Sequence, residues 1–144
     1  MDRTILCCTV LLVGSTLVAG AQNAAPAKPG GIKLSDVAGT WEGKSMVGSQ
    51  DSVVVTWVLK ATSNRKGWTL KRGNRAPVPV RILAIGGDSV VYEGGPYLSF
   101  LKPGQMATTR TVGHYRGETM TGTWEARYRD GDVRRGKIEA TRKK

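Results

Sequence analysis

Short runs in which apolar and polar residues alternate dominate the chain after residue 39, and they predict β-strands. In the run from Ser52 to Ala61, every second residue is apolar, and these residues are expected on one buried face: Val53, Val55, Trp57, Leu59 and Ala61. Gly, Asn, Asp or Pro closes each run, which is typical of turns. No stretch shows the sustained 3.6-residue apolar period of an amphipathic helix.

The runs are joined mostly by connections of hairpin length, which predicts antiparallel strands in up-and-down order. They cover residues 40–46, 52–61, 68–71, 78–85, 89–93, 97–101, 106–115, 119–128 and 133–141, with Gly94-Gly95-Pro96 as a corner. Strands that each carry one apolar face bury it best by closing into a barrel, which also removes exposed edges. The sequence therefore predicts an all-β fold, a single antiparallel barrel of about eight strands.

The segment before the barrel has the three parts of a secretory signal. Arg3 lies in a short first region, an apolar run follows from Ile5 to Ala19, and Ala19-Gly20-Ala21 forms a small-x-small cleavage site. An uncleaved anchor is the alternative, but the run is shorter than the ~20 apolar residues of a membrane span. Residues 1–21 are therefore predicted to be a signal peptide, which places the protein in the periplasm or outside the cell with no transmembrane span.

The rest of the chain divides into a short linker and one domain. Residues 22–33 are rich in Ala, Pro and Gly, which is typical of a flexible linker. Residues 34–39 are expected to form one helical turn with Ser35 as N-cap and Gly39 at its exit. The barrel domain is predicted to cover residues 34–144.

Charge and cysteine content narrow the chemistry of the mature protein. Both cysteines, Cys7 and Cys8, lie in the predicted signal, so no disulfide, thiolate metal site or cysteine nucleophile is expected. The net charge of +11 creates a field that attracts polyanions. An anionic envelope polymer or lipid surface is therefore a candidate partner, and a merely solubilising surface is the alternative.

Nucleic acid is a weaker candidate partner. The basic stretch from Lys60 to Arg75 contains Trp68, which offers a possible stacking platform for bases. Trp68 also shares the inward alternation of Leu70, which favours core packing. Export further disfavours nucleic acid as a physiological partner.

The sequence assigns no catalytic residue, metal site or cofactor. His114 is the single histidine, so no histidine-based metal cluster is expected, and no serine lies in a G-x-S-x-G elbow for a triad. No glycine-rich phosphate loop is present. Binding is therefore favoured over catalysis, while a hydrolase or isomerase that uses a cavity carboxylate such as Glu93 remains an alternative.

Five residues are candidates for contact with a bound ligand: Arg110, Glu93, Tyr97, Arg81 and Trp57. Arg81 and Arg110 lie in mid-strand among apolar neighbours, a costly place for a charge without a partner or water. If Arg110 points inward, it lies beside Tyr97 or Glu93 and can hold an acidic head group. If it points outward, its head is solvated.

The helical turn followed by Gly39-Thr40-Trp41 resembles the G-x-W start of the first strand in lipocalins and their calycin relatives. The resemblance covers residues 34–142 and implies a barrel that binds a small apolar or amphiphilic molecule. It also implies that Trp41 closes one end and packs against a basic residue of the last strand, for which Arg142 is the candidate. The chain is likewise similar to small bacterial exported proteins that combine G-x-W with a terminal A-T-R.

A second Gly-Thr-Trp-Glu stretch, Gly122 to Glu125, repeats the sequence of Gly39 to Glu42. One interpretation is an internal repeat. The other is that both places need a glycine for close backbone approach, followed by a large ring.

Overall fold

The computed structural model describes residues 30–144, which form one closed antiparallel barrel with a helical turn before it. The helical turn is α1, Leu34–Val37, and the strands are β1 Gly39–Val47, β2 Ser52–Ala61, β3 Thr69–Arg72, β4 Val78–Gly86, β5 Ser89–Leu98, β6 Met106–Arg116, β7 Thr119–Tyr128 and β8 Val133–Arg142. Each strand pairs with the next, and β8 returns to pair with β1. The predicted all-β, up-and-down barrel is confirmed.

The region before the barrel is described only in part. The predicted signal peptide at residues 1–21 lies outside the described residues, as does the predicted linker as far as residue 29. From there, Ile32 donates its backbone N–H to the Gly87 carbonyl at 2.7 Å and packs against the core. No helix in the described part of the chain has both the length and the apolar character to span a membrane.

The predicted corner at Gly94-Gly95-Pro96 is wrong, because the chain passes through it within a single strand. On β5 the register with β6 shifts between Gly94 and Tyr97 and then resumes. Pro96 has no N–H to donate to a ladder, so an irregularity of this kind accommodates it without ending the strand. Two predicted strands are therefore one, and the total is eight.

A second irregularity changes the predicted face of Val53. The register of β1 with β2 shifts at Ser45/Met46, so that Val54 has no partner. Trp57, on the far side of the shift, stays buried as the alternation predicts, whereas Val53 is 54% exposed. An extra residue in one strand disturbs the period-two pattern locally, and sequence alternation does not reveal where it occurs.

The two ends of the barrel differ in how they are filled. The closed end comprises α1 and the turns β2–β3, β4–β5 and β6–β7; the open end comprises the turns β1–β2, β3–β4, β5–β6 and β7–β8. At the closed end Trp41 is fully buried and meets the edge of Tyr115, with ring centres 5.0 Å apart. Trp68 is 1% exposed there, which leaves no free ring face for stacking on bases. The solid core therefore fills the closed end.

Candidate ligand-binding site

A cavity of about 70 Å³ lies inside the barrel toward the open end. Its wall mixes aromatic, small apolar and hydroxyl side chains with one cation. The lining residues are Ser45, Val54, Val55, Trp57, Leu70, Arg72, Tyr92, Tyr97, Ser99, Phe100, Leu101, Ala107, Thr109, Thr111, Trp124, Ala126, Tyr128 and Ile138. No carboxylate is among them, so the cavity presents a single, positive charge.

That charge belongs to Arg72, the last residue of β3. Arg72 is the cross-strand partner of Trp57, and directly paired residues lie on the same face of a sheet, so its side chain enters the barrel. Only 8% of Arg72 is exposed. Its guanidinium carbon lies 3.1 Å from the centre of the Tyr97 ring and 5.3 Å from that of Phe100.

Arg72 has aromatic neighbours but no counter-charge. Within residues 30–144 its guanidinium makes neither a salt bridge nor a hydrogen bond. Burial lowers the pKa of Arg72, the electrostatic interaction with Tyr97 opposes this shift, and the charge of Arg75 lowers the pKa further. The ordinary pKa of an arginine side chain is so far above neutral that Arg72 stays a cation at neutral pH. A buried cation without a counter-charge is costly, so Arg72 is a candidate for contact with a bound ligand.

Two residues of the cavity wall, Trp124 and Tyr128, carry further hydrogen-bond donors. The Nε1–H of Trp124 is buried and has no hydrogen-bond partner in the described residues. The Oγ of Ser99 accepts the backbone N–H groups of Leu101 and Lys102, both at 3.0 Å, which uses both of its lone pairs. Its own proton therefore goes to the Tyr128 hydroxyl 2.7 Å away, and the Tyr128 proton is left free to donate.

Local packing holds the aromatic walls in place. Trp57 donates its Nε1–H to the Ser45 hydroxyl at 3.1 Å. A Cβ on Gly43 would lie 2.5 Å from the Trp57 ring, so the ring occupies space that only glycine leaves free. Burial raises the pKa of Tyr97, which keeps its hydroxyl protonated. Trp57 and Tyr97 are the two predicted ligand contacts that line the cavity.

The other three predicted contacts lie on the outer wall. Arg110 is exposed because its strand neighbours Thr109 and Thr111 line the cavity, and adjacent residues of a strand face opposite sides. The hypothesis that Arg110 reaches inward to an acidic head group is therefore wrong. Arg81 binds Glu93 across the strands at 2.8 Å, with 73% of its side chain exposed.

These outer-wall residues belong to a charge ladder that runs across five strands. Direct cross-strand neighbours are, in order, Arg81, Glu93, Arg110, Glu125 and Arg135. Opposite charges at directly paired positions stabilise a sheet modestly. Glu93 thus forms part of the outer wall and does not line the cavity. The hydrolase or isomerase alternative named Glu93 as its cavity carboxylate and loses that residue.

The predicted closure residues meet at the closed end. The guanidinium carbon of Arg142 lies 4.8 Å from the centre of the Trp41 ring. Its nitrogens donate to the backbone carbonyls of Ala38 at 2.9 Å and Asp36 at 2.6 Å. Gly39 packs beside this arginine with a φ of +134°, a conformation that favours glycine. Arg142 thereby ties α1 to the β1–β8 strand pair at the closed end.

His114 has polar neighbours, but they do not form a catalytic triad. Its Nδ1 lies 3.0 Å from the Asp88 carboxylate and 2.9 Å from the Ser89 hydroxyl. A triad requires the acid and the nucleophile on opposite ring nitrogens, whereas here both meet the same one. Among the described residues no cluster of three or more His, Cys, Asp or Glu could hold a metal ion.

Sequence reasoning did not identify Arg72, although a signal was present. The residues Trp68 and Leu70 were expected inward, and the same period of two continues to Arg72. From sequence alone, an arginine at such a position is most simply interpreted as part of a basic surface, because lone buried charges are rare. Only the pairing with Trp57 fixes its direction.

Comparison of the chain with protein-family models, curated proteins and solved structures found no match. The eight-stranded antiparallel barrel is consistent with a lipocalin-like fold.

Proposed function

We propose that this is an exported, non-catalytic binding protein that holds one end of a small amphiphilic molecule in its barrel. The observation that carries the proposal is the cavity toward the open end, with Trp57, Tyr97 and Trp124 in its wall. Concave sites with aromatic walls and a few polar groups are the usual form of small-molecule sites. The proposal of export is supported by the signal-like sequence of residues 1–21.

The size of the cavity limits how the ligand is held. A volume of about 70 Å³ is well below the several hundred Å³ of a site that encloses a drug-sized molecule. One polar group with a short adjoining segment fills it. The remainder of the ligand then lies across the mouth, where Val54, Phe100 and Leu101 are only partly buried. The barrel therefore favours a slender molecule that enters end-on.

Nuclear magnetic resonance of the indole N–H groups tests this proposal. Titration of the ¹⁵N-labelled protein with octan-1-ol, a neutral amphiphile, is expected to shift the signals of Trp57 and Trp124, which line the cavity. The signals of Trp41 and Trp68, buried at the closed end, are expected to stay in place. Shifts of all four signals, or of none, would count against a cavity site.

A matched pair of variants separates cavity binding from surface binding. Ala126→Val adds two carbons to the cavity wall and is expected to weaken octan-1-ol binding at least tenfold. Ala84→Val adds the same atoms at an exposed position of β4 and is expected to leave binding unchanged. Equal effects of the two variants would contradict the proposal.

A second candidate function rests on the charged outer wall. Arg127 and Arg135 both form ion pairs with Glu125, at 2.6 and 2.8 Å. The exposed Arg110 on β6 is the direct cross-strand neighbour of Glu125. Three cations around one carboxylate leave a local excess of positive charge, which suits an anionic envelope polymer or lipid surface. Binding to anionic vesicles that weakens steeply with added salt, and is lost in an Arg127→Gln/Arg135→Gln double variant, would support this function.

A further inference from the structure

We infer that the cavity selects a carboxylate head group and that Arg72 is the residue that binds it. The inference rests on the proposed function, since it names the class of ligand that the same cavity takes. Its starting point is the buried guanidinium of Arg72, which has no counter-charge within residues 30–144.

The surroundings of Arg72 all favour an anion. The cavity wall contains no carboxylate to compete for the guanidinium. Arg75 lies near the mouth, its guanidinium carbon 3.8 Å from the centre of the Phe100 ring, and adds a second positive charge. Electrostatic attraction is strong where water is excluded, so both cations favour entry of a negative group and oppose entry of a positive one.

Two further polar side chains of the cavity wall, those of Trp124 and Tyr128, are suited to oxygen acceptors. The Nε1–H of Trp124 has no partner in the described residues, and the hydrogen bonds of Ser99 leave the Tyr128 proton free. Both are donors, as is the guanidinium of Arg72. A ligand oxygen with several lone pairs satisfies such donors, whereas an ammonium group would leave them unpaired.

Shape and volume favour a carboxylate over a larger oxyanion. The planar guanidinium fork matches two coplanar oxygens, as in paired arginine and carboxylate side chains. A cavity of about 70 Å³ holds such a planar group and a short apolar segment. The aromatic rings of Tyr97 and Phe100 on Arg72 keep the guanidinium fixed before the ligand arrives.

Three probes with the same eight-carbon chain test the inference: octanoate, octan-1-ol and octylamine. At neutral pH and physiological salt we expect octanoate to bind about tenfold more tightly than octan-1-ol, because a charge-assisted hydrogen bond replaces a neutral one. Octylamine is expected to bind most weakly. The indole signals of Trp57 and Trp124 report binding in each titration.

Two arginine variants locate the selectivity. Arg72→Met is expected to weaken octanoate binding at least tenfold while octan-1-ol binds as before or more tightly. Arg110→Met removes an arginine from the outer wall and is expected to change neither affinity. The indole spectrum and an unfolding curve of each variant establish that it is folded.

The outcomes distinguish the inference from the proposed function. If octan-1-ol shifts the cavity signals but octanoate binds no more tightly, the carboxylate inference is overturned and the proposed function stands. If octanoate keeps its advantage in Arg72→Met, the inference is likewise overturned. If no probe shifts the signals of Trp57 and Trp124, both fail.

Discussion

The guanidinium carbon of Arg72 lies 3.1 Å from the centre of the Tyr97 ring, and both side chains line the cavity. A desolvated cation over an aromatic ring gains about 2 kcal/mol. Removing the guanidinium from water opposes that gain, and no carboxylate of the described chain offsets it. The pair therefore keeps a cation at the cavity wall, and its net contribution to the free energy of unfolding is expected to be small.

Arg72→Met is expected to leave the free energy of unfolding within about 1 kcal/mol of the wild type, or to raise it. The methionine retains the apolar contact with Tyr97 and removes the buried charge. Urea denaturation measures the difference. A loss above about 3 kcal/mol would assign Arg72 a structural role instead.

Arg142 is expected to contribute much more to stability than Arg72. Replacing it with methionine removes two hydrogen bonds from a charged donor to the carbonyls of Ala38 and Asp36, as well as the contact with Trp41. We expect a loss of about 2–3 kcal/mol in the free energy of unfolding. Arg81→Met, at an exposed ion pair, serves as the control and is expected to lose less than about 1 kcal/mol. Equal losses would contradict the closure role of Arg142.

Gly122 is expected to tolerate no side chain. A Cβ at this position would collide with the backbone carbonyl oxygen of Val112 on β6, which cannot move without breaking the ladder. Gly122→Ala is therefore expected to lose at least about 2 kcal/mol of stability. Gly86→Ala meets no atom within 4 Å and is expected to change stability by less than about 0.5 kcal/mol. Thermal unfolding of the two variants compares them directly.

Lys102 connects the β5–β6 loop to the β7–β8 turn at the mouth of the cavity. Its ammonium binds Asp130 at 2.8 Å and Asp132 at 3.0 Å on the β7–β8 turn. Lys102→Met is expected to speed hydrogen exchange at the backbone amides of residues 101 and 102. The hydrogen bonds of these amides to Ser99 are expected to open more often without the ion pairs of Lys102. Lys66→Met, at an exposed position of the β2–β3 turn, is the control. Unchanged exchange would show that the loop holds without Lys102.

Asp88 gives the outer surface of the closed end an acid-dependent stability. Hydrogen bonds from His114 and then Ser89 hold the pKa of Asp88 below its ordinary value of 3.8. A carboxyl group with a lowered folded pKa stabilises the fold above its unfolded pKa, and this stabilisation is lost as the pH falls through the folded value. Asp88→Asn is thus expected to be less stable than the wild type by up to about 1 kcal/mol at pH 6.

Unfolding curves across pH test this expectation. The stabilities of the wild type and Asp88→Asn are expected to converge as the pH falls through the lowered folded pKa of Asp88, because the carboxylate then becomes protonated. A difference that stays constant from neutral to acid pH would exclude ionisation of Asp88 as its cause.

The repeated Gly-Thr-Trp-Glu stretch shows two distinct uses of one local sequence. Gly122 is required because a backbone oxygen lies where its Cβ would be. Gly39 adopts a positive φ of 134° beside Arg142. In both stretches the following tryptophan, Trp41 or Trp124, is buried. Close approach thus accounts for Gly122, and backbone conformation accounts for Gly39.

The sequence by itself determined the class and order of the fold. Period-two alternation, with turn residues between the runs, is a local property and predicts strands, hairpins and a closed barrel. It also predicted that Trp57 faces inward, because a regular strand carries that information in its own residues. Tyr97, beyond the irregularity in β5, was instead singled out by its residue type and nearness to Arg110.

Only the tertiary structure decided which charges face the cavity. Arg110 and Arg72 are the same residue type and both lie in strands, yet one lies on the outer wall and the other inside. Strand pairing sets this difference through the partner of each residue, Glu125 for Arg110 and Trp57 for Arg72. A shift of one residue in register exchanges the two faces of a strand, so the location of a lone charge depends on contacts that are distant in sequence.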